Sequence, residues 1–206
     1  MSAATPHGAC IGILLAAGHG RRFGGHVGNR VDNNKLLHPL ADGRPLALVS
    51  DLNLRAAIPD LLAVVQVDNT ALQAHFDQHG IPWLGVRNDG MGDSLAAAVA
   101  ATRQRVGAGW VVALADMPFL RPATIAAVAA GIEAGTPLAA PTYRGARGHP
   151  VGMAARFADD LAALRGDEGA RTLLQTHAAA LQHLPTDDPG ILHDIDTPDD
   201  LPPAYT

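Results

Sequence analysis

The sequence predicts an α/β fold, a three-layer sandwich in which helices cover both faces of a mostly parallel sheet. Short apolar runs alternate with helix-like segments along the chain of 206 residues. The first run, at 10–16, is continuously apolar, as expected of a strand covered on both faces. Hydrophobic residues make up 48% and charged residues 17% of the chain, which is typical of a folded globular protein. Because no linker or repeat interrupts the pattern, we expect one domain over residues 1–206.

Local signals place each element in order along the chain. Apolar runs rich in valine, leucine and alanine predict strands at 10–16, 61–67, 82–86, 110–114, 138–143, 150–154 and 181–184. The segments between them predict helices at 45–58, 70–79, 93–105, 123–134, 156–164 and 170–177. Pro45 suits a helix start, Asn69 suits an N-cap, and Gly80 and Gly135 follow helix ends. The runs at 138–143 and 150–154 flank a loop rich in glycine and arginine, which predicts a hairpin.

Composition argues against several function classes. The net charge of −5 gives no overall attraction to nucleic acid or to an anionic membrane. No apolar run approaches the roughly 18 residues of a membrane span, and the N-terminus lacks the pattern of a signal peptide. We therefore expect a cytoplasmic protein. Cys10 is the one cysteine, so it is expected to serve buried packing, and the ten histidines lack metal-ligand spacing.

The segment after the first predicted strand has the features of a polyphosphate-binding loop. It reads Ile13-Leu-Leu-Ala-Ala-Gly18-His-Gly20-Arg-Arg22-Phe-Gly24-Gly25. Glycines allow close approach of the backbone to a ligand, and arginines form charge-assisted hydrogen bonds with phosphate oxygens. Phe23 occupies the third glycine position of a dinucleotide fingerprint, and no Gly-Lys-Ser/Thr run completes a Walker A loop. The competing interpretation is an ordinary strand-to-helix turn.

Three further positions carry charge next to apolar segments. Lys35 precedes a new apolar stretch and is a candidate for phosphate contact, or else a surface charge. Asp116 follows the buried run at 110–114 and suits Mg²⁺, although it could instead cap the turn before Pro118. Asp194 and Asp196 form a second acidic cluster in which Ile195 is expected to point inward, and we favour Asp196 as the metal ligand. A helix N-cap box starting at Thr197 is expected there as well.

Three glycine-containing loops are weaker candidates. The loop Gly90-Met-Gly92-Asp-Ser94 precedes an alanine-rich helix and suits contact with a nucleobase or ribose, while an N-cap role for Asp93 is the alternative. Arg147 and His149 lie in the predicted hairpin loop, which could receive an anionic second substrate or form an exposed tip. The segment 166–171 has the features of a helix entry.

The motifs of nucleophilic hydrolases and glycosidases are missing from the sequence. No Ser-His-Asp order, suitably placed carboxylate pair or reactive cysteine setting is found. Phosphoryl-type chemistry does not need them, because an attacking phosphate is already anionic near neutral pH. Positioning and charge neutralisation by Mg²⁺, lysine and arginine can carry such a step.

Taken in order, these segments resemble the MobA-like nucleotidyltransferase family, and within it the molybdenum cofactor cytidylyltransferases. The resemblance covers nearly the whole chain and rests on Leu15-Ala-Ala-Gly18, Arg22-Phe-Gly24, Lys35-Leu-Leu, Gly90-Met-Gly92-Asp-Ser94, Leu114-Ala-Asp116-Met-Pro118, Gly148-His-Pro150-Val, Gly166-Asp-Glu-Gly169-Ala-Arg171 and Asp194-Ile-Asp196-Thr-Pro198. It implies a Rossmann-like fold of the nucleotide-diphospho-sugar transferase type. Relatives that transfer guanylate typically carry Leu-Ala-Gly-Gly, so Ala16-Ala17-Gly18 favours cytidine.

The resemblance also implies the chemistry and its residues. CMP would pass from CTP to the terminal phosphate of molybdopterin, and pyrophosphate would leave. The implied catalytic residues are Arg22, Lys35 and Asp116, with Mg²⁺ (or Mn²⁺) held by Asp116 and Asp196. The implied CTP-binding positions are Leu15, Ala16, Ala17, Gly18, Gly20, Arg22, Lys35, Gly90, Ser94 and Asp116. Arg147 and His149 would contact the acceptor, and a molybdoenzyme or its maturation chaperone would receive the product.

Two alternatives to this reading stay open. The first is transfer from another nucleoside triphosphate or to another phosphorylated acceptor. The second is a non-catalytic pterin or nucleotide carrier, in which Asp116 and Asp196 only cap turns. The stretch between Gly25 and Lys35 is longer than the family's usual passage to the lysine and is expected to form a lid or to displace Lys35.

Overall fold

Eight strands form one sheet in the computed structural model, which describes residues 8–18, 34–87 and 90–201. The strands are β1 (Ile11–Ala16), β2 (Leu61–Gln66), β3 (Trp83–Val86), β4 (Gly109–Leu114), β5 (Leu138–Tyr143), β6 (Ala146–Arg147), β7 (Val151–Ala154) and β8 (Leu181–Pro185). Their order across the sheet is β3-β2-β1-β4-β7-β5-β6, and β8 pairs with β5. This confirms the predicted α/β class, and β6 is the strand that the sequence pattern did not predict.

The half of the sheet that contains β1 is parallel. β1 lies between β2 and β4, with Leu15 paired to Val64 on one side and to Leu114 on the other. β3 extends this parallel half beyond β2, and β5 and β8 form another parallel pair. A strand in the middle of such a sheet is covered by helices on both faces, which explains the continuous apolar run of β1.

The other half of the sheet contains the predicted hairpin in a modified form. β7 is antiparallel to both β4 and β5, so it joins the parallel half of the sheet to β5. β5 turns tightly into β6 through Arg144 and Gly145, whose φ angles are +50° and +83°. Consecutive positive φ angles are typical of the two-residue turns that match strand twist. The chain then returns through 148–150 to β7.

Six α-helices within the described ranges cover the two faces: α1 (Leu46–Ala57), α2 (Thr70–Gln78), α3 (Met91–Thr102), α4 (Pro122–Glu133), α5 (Ala158–Ala162) and α6 (Arg171–Thr176). The core that includes Leu14 joins the sheet to α1, α2 and α4. The core that includes Ile13 joins it to α3, α5 and α6. All predicted helices and strands are present, with ends within three residues of the expected ones. None of the helices in these ranges is long and apolar enough to cross a membrane.

Helix starts agree with the sequence in one case and differ in another. The side chain of Asn69 accepts a hydrogen bond from the Leu72 amide at 3.2 Å, which confirms the predicted N-cap of α2. The alternative interpretation, in which Asp93 caps α3, is wrong, because Gly90 is the N-cap and Asp93 lies in the first turn. The Asp93 carboxylate accepts instead from the amide of Gly166 at 2.8 Å. A tertiary contact therefore replaces the local cap.

The single cysteine is buried, as expected. Cys10 is 2% exposed, and its Sγ lies 3.7 Å from the carbonyl oxygen of Ala129 in α4. Burial, together with the neighbouring Glu133 carboxylate, raises the pKa of the Cys10 thiol to about 12. The thiol is therefore neutral at physiological pH and serves packing.

Gly131 in α4 offers a test of how tightly this helix packs against its neighbours. A Cβ at this position would meet its nearest neighbours, Ala139, Gln182 and Thr136, at 3.8–3.9 Å, which is ordinary van der Waals contact. Because glycine inside a helix costs conformational entropy, Gly131→Ala is expected to stabilise the protein by about 0.5–1 kcal/mol. Denaturant unfolding monitored by circular dichroism measures this change, and a loss of stability would contradict the neighbour distances given for Gly131.

Candidate functional site

Three side chains from distant parts of the chain meet at the carboxyl edge of the parallel strands. The Lys35 ammonium lies 2.8 Å from Asp116 Oδ2 and 2.9 Å from Asp196 Oδ1. Asp116 is 81 and Asp196 161 residues from Lys35 in sequence. In open α/β sheets, ligands bind outside the carboxyl ends of the strands. The fold therefore brings Lys35, Asp116 and Asp196, which the sequence predicted as candidate site residues, together at this edge of the sheet.

Asp116 is positioned by hydrogen bonds to the backbone on each side of it. The Ala115 amide donates to the Leu15 carbonyl at 3.0 Å, which ties the end of β4 to the end of β1. The Ser50 hydroxyl of α1 donates to the Ala115 carbonyl at 2.9 Å. The Ile195 amide donates to the Asp116 carbonyl at 2.9 Å. With its backbone held this way, the carboxylate has little freedom to move away from the sheet edge.

Lys35 is held by a short 3₁₀ turn, Lys35–Leu37. Leu36 is buried in the core beside α1, and the Asn34 side chain donates to the Asn69 side chain at 2.6 Å. Lys35 itself is only 8% exposed. This placement argues against the interpretation of Lys35 as a solvated surface charge.

Asp196 belongs to a C-terminal segment that packs against the start of α1. Ile195 is fully buried in a small cluster with Leu46 and Leu201, as the sequence pattern predicted. The Asp200 carboxylate accepts hydrogen bonds from the amides of Asp196 and Thr197 at 3.0 and 2.6 Å. The predicted capping box at Thr197 is thus confirmed, and it orients the backbone that carries Asp196.

The electrostatics of the cluster keep the Lys35 side chain positively charged. Burial alone would lower the pKa of Lys35, but the two carboxylates outweigh this effect and raise the pKa above its ordinary value. The lysine is therefore positively charged at neutral pH. Asp116 Oδ1 is buried and has no hydrogen-bond partner among the described residues.

The donor set can be compared with what a divalent cation requires. The described residues contain no group of three or more His, Cys, Asp or Glu side chains able to hold a metal ion. Mg²⁺ does not need such a group, since it takes one or two carboxylates and completes its shell with phosphate oxygens and water. The unpaired Asp116 oxygen and the Asp196 side chain, which is 37% exposed, fit that requirement.

His149 lies close to this cluster, whereas Arg147 lies on the exposed hairpin strand β6. The His149 amide donates to the Ile191 carbonyl at 2.9 Å. Its Nδ1 is buried without a partner in the described part of the chain. Burial lowers the pKa of His149, and the Asp116 carboxylate acts in the opposite direction. The two predicted acceptor residues therefore have different surroundings. His149 is neutral and half-buried near Asp116, whereas Arg147 is exposed on β6.

The end of β1 forms the neighbouring wall of the site. The Gln66 side chain of β2 donates to the Ala17 carbonyl at 3.0 Å and so holds this end of β1 in place. A Cβ added to Gly18 would meet no described atom within 4 Å, so protein packing in this part of the structure does not require glycine there. Leu15 and Ala16 lie directly before it. The predicted residues Gly20 and Arg22, and the segment between Gly25 and Asn33, lie outside the described residues.

The loop that begins α3 packs against the 165–168 segment. A Cβ on Gly90 would lie 2.1 Å from the Gly166 carbonyl oxygen, and one on Gly92 would lie 2.9 Å from it. Ser94 is buried, and its hydroxyl donates to the Gly90 carbonyl at 3.1 Å. The glycines are explained here by close contact between two parts of the protein. The 166–171 segment, expected to be a helix entry, forms a 3₁₀ turn before α6 begins at Arg171.

Several residues that support the site were not predicted from the sequence. Asp188 is 1% exposed and accepts from the Arg121 amide at 2.9 Å and the Thr124 hydroxyl at 2.7 Å, which joins the C-terminal segment to the start of α4. Ser50 and Gln66, described above, are the others. Each is a polar residue in or beside an apolar run. A polar residue in such a position predicts a buried hydrogen bond, but the sequence does not show which group is the partner.

The fold and the site together define an α/β protein of the nucleotidyltransferase class. The chain belongs to the family of MobA-like NTP transferase domains, whose family model matches residues 12–183. The purine catabolism protein PucB of Bacillus subtilis (strain 168) is 31% identical over 204 residues, covering 92% of this chain and 93% of its own. The expected resemblance to MobA-like nucleotidyltransferases is thereby confirmed.

Solved structures agree with this assignment. Rv0371c from Mycobacterium tuberculosis H37Rv is 26% identical, with a TM-score of 0.78 over 94% of this chain and 96% of that one. A structure of Rv0371c in complex with manganese matches at 25% identity, with a TM-score of 0.75 over 94% and 96% of the two chains. The protein is thus a nucleotidyltransferase of MobA-like type.

Proposed function

We propose that this protein is a single-domain enzyme that transfers CMP from CTP to the terminal phosphate of molybdopterin or its molybdenum complex. The observation that supports the proposal most is the convergence of Lys35, Asp116 and Asp196 beside the end of β1. A carboxylate pair and a buried ammonium meet the charge requirements of a triphosphate bound with a divalent cation.

The chain's own residues would then position and neutralise the reactants. Asp116 and Asp196 would hold Mg²⁺ or Mn²⁺, which when bound neutralises charge on the phosphates and orients them. Lys35, together with Arg22, would donate hydrogen bonds to the phosphate oxygens, and the amides at Ala17 and Gly18 would face the same group. The acceptor's phosphate is already anionic at neutral pH, so no side chain has to remove a proton from it. A bond would form between an oxygen of the acceptor's phosphate and the α-phosphorus of CTP. The bond from that phosphorus to the oxygen bridging to the β-phosphate would break, and pyrophosphate would leave with that oxygen.

The choice of base and acceptor is the finer part of the proposal. Ala16-Ala17-Gly18, where guanylate-transferring relatives carry Leu-Ala-Gly-Gly, supports cytidine. Ser94, in the first turn of α3, would lie near the base, and Gly90, which packs against Gly166, would approach the base with its backbone only. His149, which is half-buried near Asp116, and the exposed Arg147 would contact an anionic acceptor. A molybdoenzyme or its maturation chaperone would receive the product, and the name of the Bacillus relative supports an enzyme of purine breakdown as recipient.

A pyrophosphate assay tests this proposal. The protein is incubated with Mg²⁺, molybdopterin or molybdenum cofactor, and each of the four nucleoside triphosphates in turn. We expect CTP to give the highest rate of pyrophosphate release, and release to require the acceptor. A preference for GTP would overturn the base assignment. Release with another phosphorylated acceptor would overturn molybdopterin, and no release with any combination would favour a non-catalytic carrier.

A further inference from the structure

The Lys35 ammonium lies in the position that a cation shared by the two carboxylates would take. It is 2.8 Å from Asp116 and 2.9 Å from Asp196, so it bridges the same two groups proposed to hold the metal. A metal ion held by the same two carboxylates would place two further positive charges next to the ammonium. The two cations would therefore compete for the same pair of carboxylates.

The identity of this residue is unusual within the chain. The sequence contains 15 basic residues, of which 14 are arginines and Lys35 is the one lysine. Arginine forms planar, bidentate contacts and is always charged, whereas lysine is a compact point charge on a flexible stem. A compact, flexible lysine therefore suits a side chain that occupies the space between two carboxylates and then moves away from it.

We propose that Lys35 keeps divalent cations out of the nucleotide-free site and gives up its place only when a triphosphate enters with the metal. This inference rests on the proposed function, because it assumes that the site binds a metal–nucleotide complex. Lys35 would exchange two carboxylate oxygens for phosphate oxygens, while the carboxylates exchange the ammonium for the metal.

The charge balance of the site supports such an exchange. With Lys35 in place, the three side chains carry one net negative charge; without it, two like charges would face each other in a partly buried site. Metal binding without nucleotide would also leave the ammonium with no anionic partner in a mostly buried position. The triphosphate removes that cost because it supplies new partners for the ammonium. Metal binding and nucleotide binding are thereby coupled through one side chain.

The first test measures Mn²⁺ binding in the absence of nucleotide, using the EPR signal of free Mn²⁺. Lys35→Met removes the charge and keeps the chain length, so it is expected to bind Mn²⁺ about tenfold more tightly than the wild type. Lys35→Arg keeps the charge and is the matched control, expected to bind no more tightly than the wild type. Unchanged or weaker Mn²⁺ binding by a folded Lys35→Met variant, with its fold checked by circular dichroism, would overturn the proposal.

The second test uses the wild-type protein and does not depend on a variant that folds. Because the chain has one lysine, labelling with ¹⁵N-lysine gives one side-chain ammonium resonance. We expect Mg²⁺ alone to leave this resonance in place, and Mg²⁺ with a non-hydrolysable CTP analogue to shift it. An equal shift with Mg²⁺ alone, or no shift with both, would overturn the proposal. Neither test uses turnover, so failure of the CTP assay and failure of the exchange can be told apart.

Discussion

Asp116→Asn is expected to lower the rate of nucleotidyl transfer by about a thousandfold or more, since it removes the charge of one of two proposed metal ligands. The substitution keeps the shape of the side chain. The backbone of residue 116 keeps its hydrogen bond from the Ile195 amide. The fold should therefore survive while the chemistry is lost. Pyrophosphate release under saturating CTP and acceptor measures the effect.

Asp199→Asn is the matched control for this prediction. Asp199 is exposed and lies in the same C-terminal segment as Asp196. Its substitution by asparagine therefore removes one negative charge close to the site, as Asp116→Asn does. We expect its rate to stay close to that of the wild type. If Asp116→Asn turned over at the wild-type rate, or if both variants lost activity equally, Asp116 would not hold the metal and the proposed site would be wrong.

Gly90→Ala is expected to destabilise the protein by about 3 kcal/mol, because the new methyl group would overlap backbone atoms. Its Cβ would lie 2.1 Å from the oxygen and 2.2 Å from the carbon of the Gly166 carbonyl. Backbone atoms cannot rotate away as a flexible side chain can. To relieve the overlap, the 166–168 turn would have to separate from the start of α3. Urea unfolding measures the loss of stability.

Gly18→Ala, compared with Gly90→Ala, distinguishes a glycine needed for ligand binding from one needed for protein packing. Its Cβ would meet no described atom within 4 Å, and the φ of Gly18 lies outside the positive range. We expect nearly unchanged stability but weaker binding of CTP, measured by calorimetry, because the methyl group would occupy the space proposed for phosphate. Equal losses of stability in both variants would contradict the assignment of one glycine to protein packing and the other to the ligand.

Much of the fold was predictable because its signals are local. The apolar run of β1, the N-cap Asn69 and the glycine after α2 each depend on residues within a few positions of one another. Asp93 shows where such reasoning fails. Its position before an alanine-rich helix favours a cap, yet its carboxylate bonds to an amide 73 residues away. The local preference of aspartate for an N-cap position is overridden there by the hydrogen bond from the Gly166 amide.

The site was predictable in part for a similar reason. A carboxylate directly after a buried strand lies at the ligand-binding edge of an α/β sheet, which was enough to select Asp116. Alternation along the chain left Asp194 and Asp196 on one side of Ile195 and did not separate them. The structure distinguishes them, because the Lys35 ammonium donates a hydrogen bond to the Asp196 carboxylate. The supporting contacts of Ser50 and Gln66 could not be predicted, because their partners lie on other elements.

The sequence by itself determined the α/β class, the order of the elements and the residue types that phosphate and metal chemistry needs. Those properties follow from hydrophobic periodicity and from charges placed beside apolar runs, both of which are local. Only the tertiary structure decided that Lys35 is a buried ammonium bridging Asp116 and Asp196. Its position depends on strand pairing and on the packing of Leu36 and Ile195, which join segments up to 161 residues apart. Contacts of that range arise from the packing of the whole core, and no local pattern encodes them.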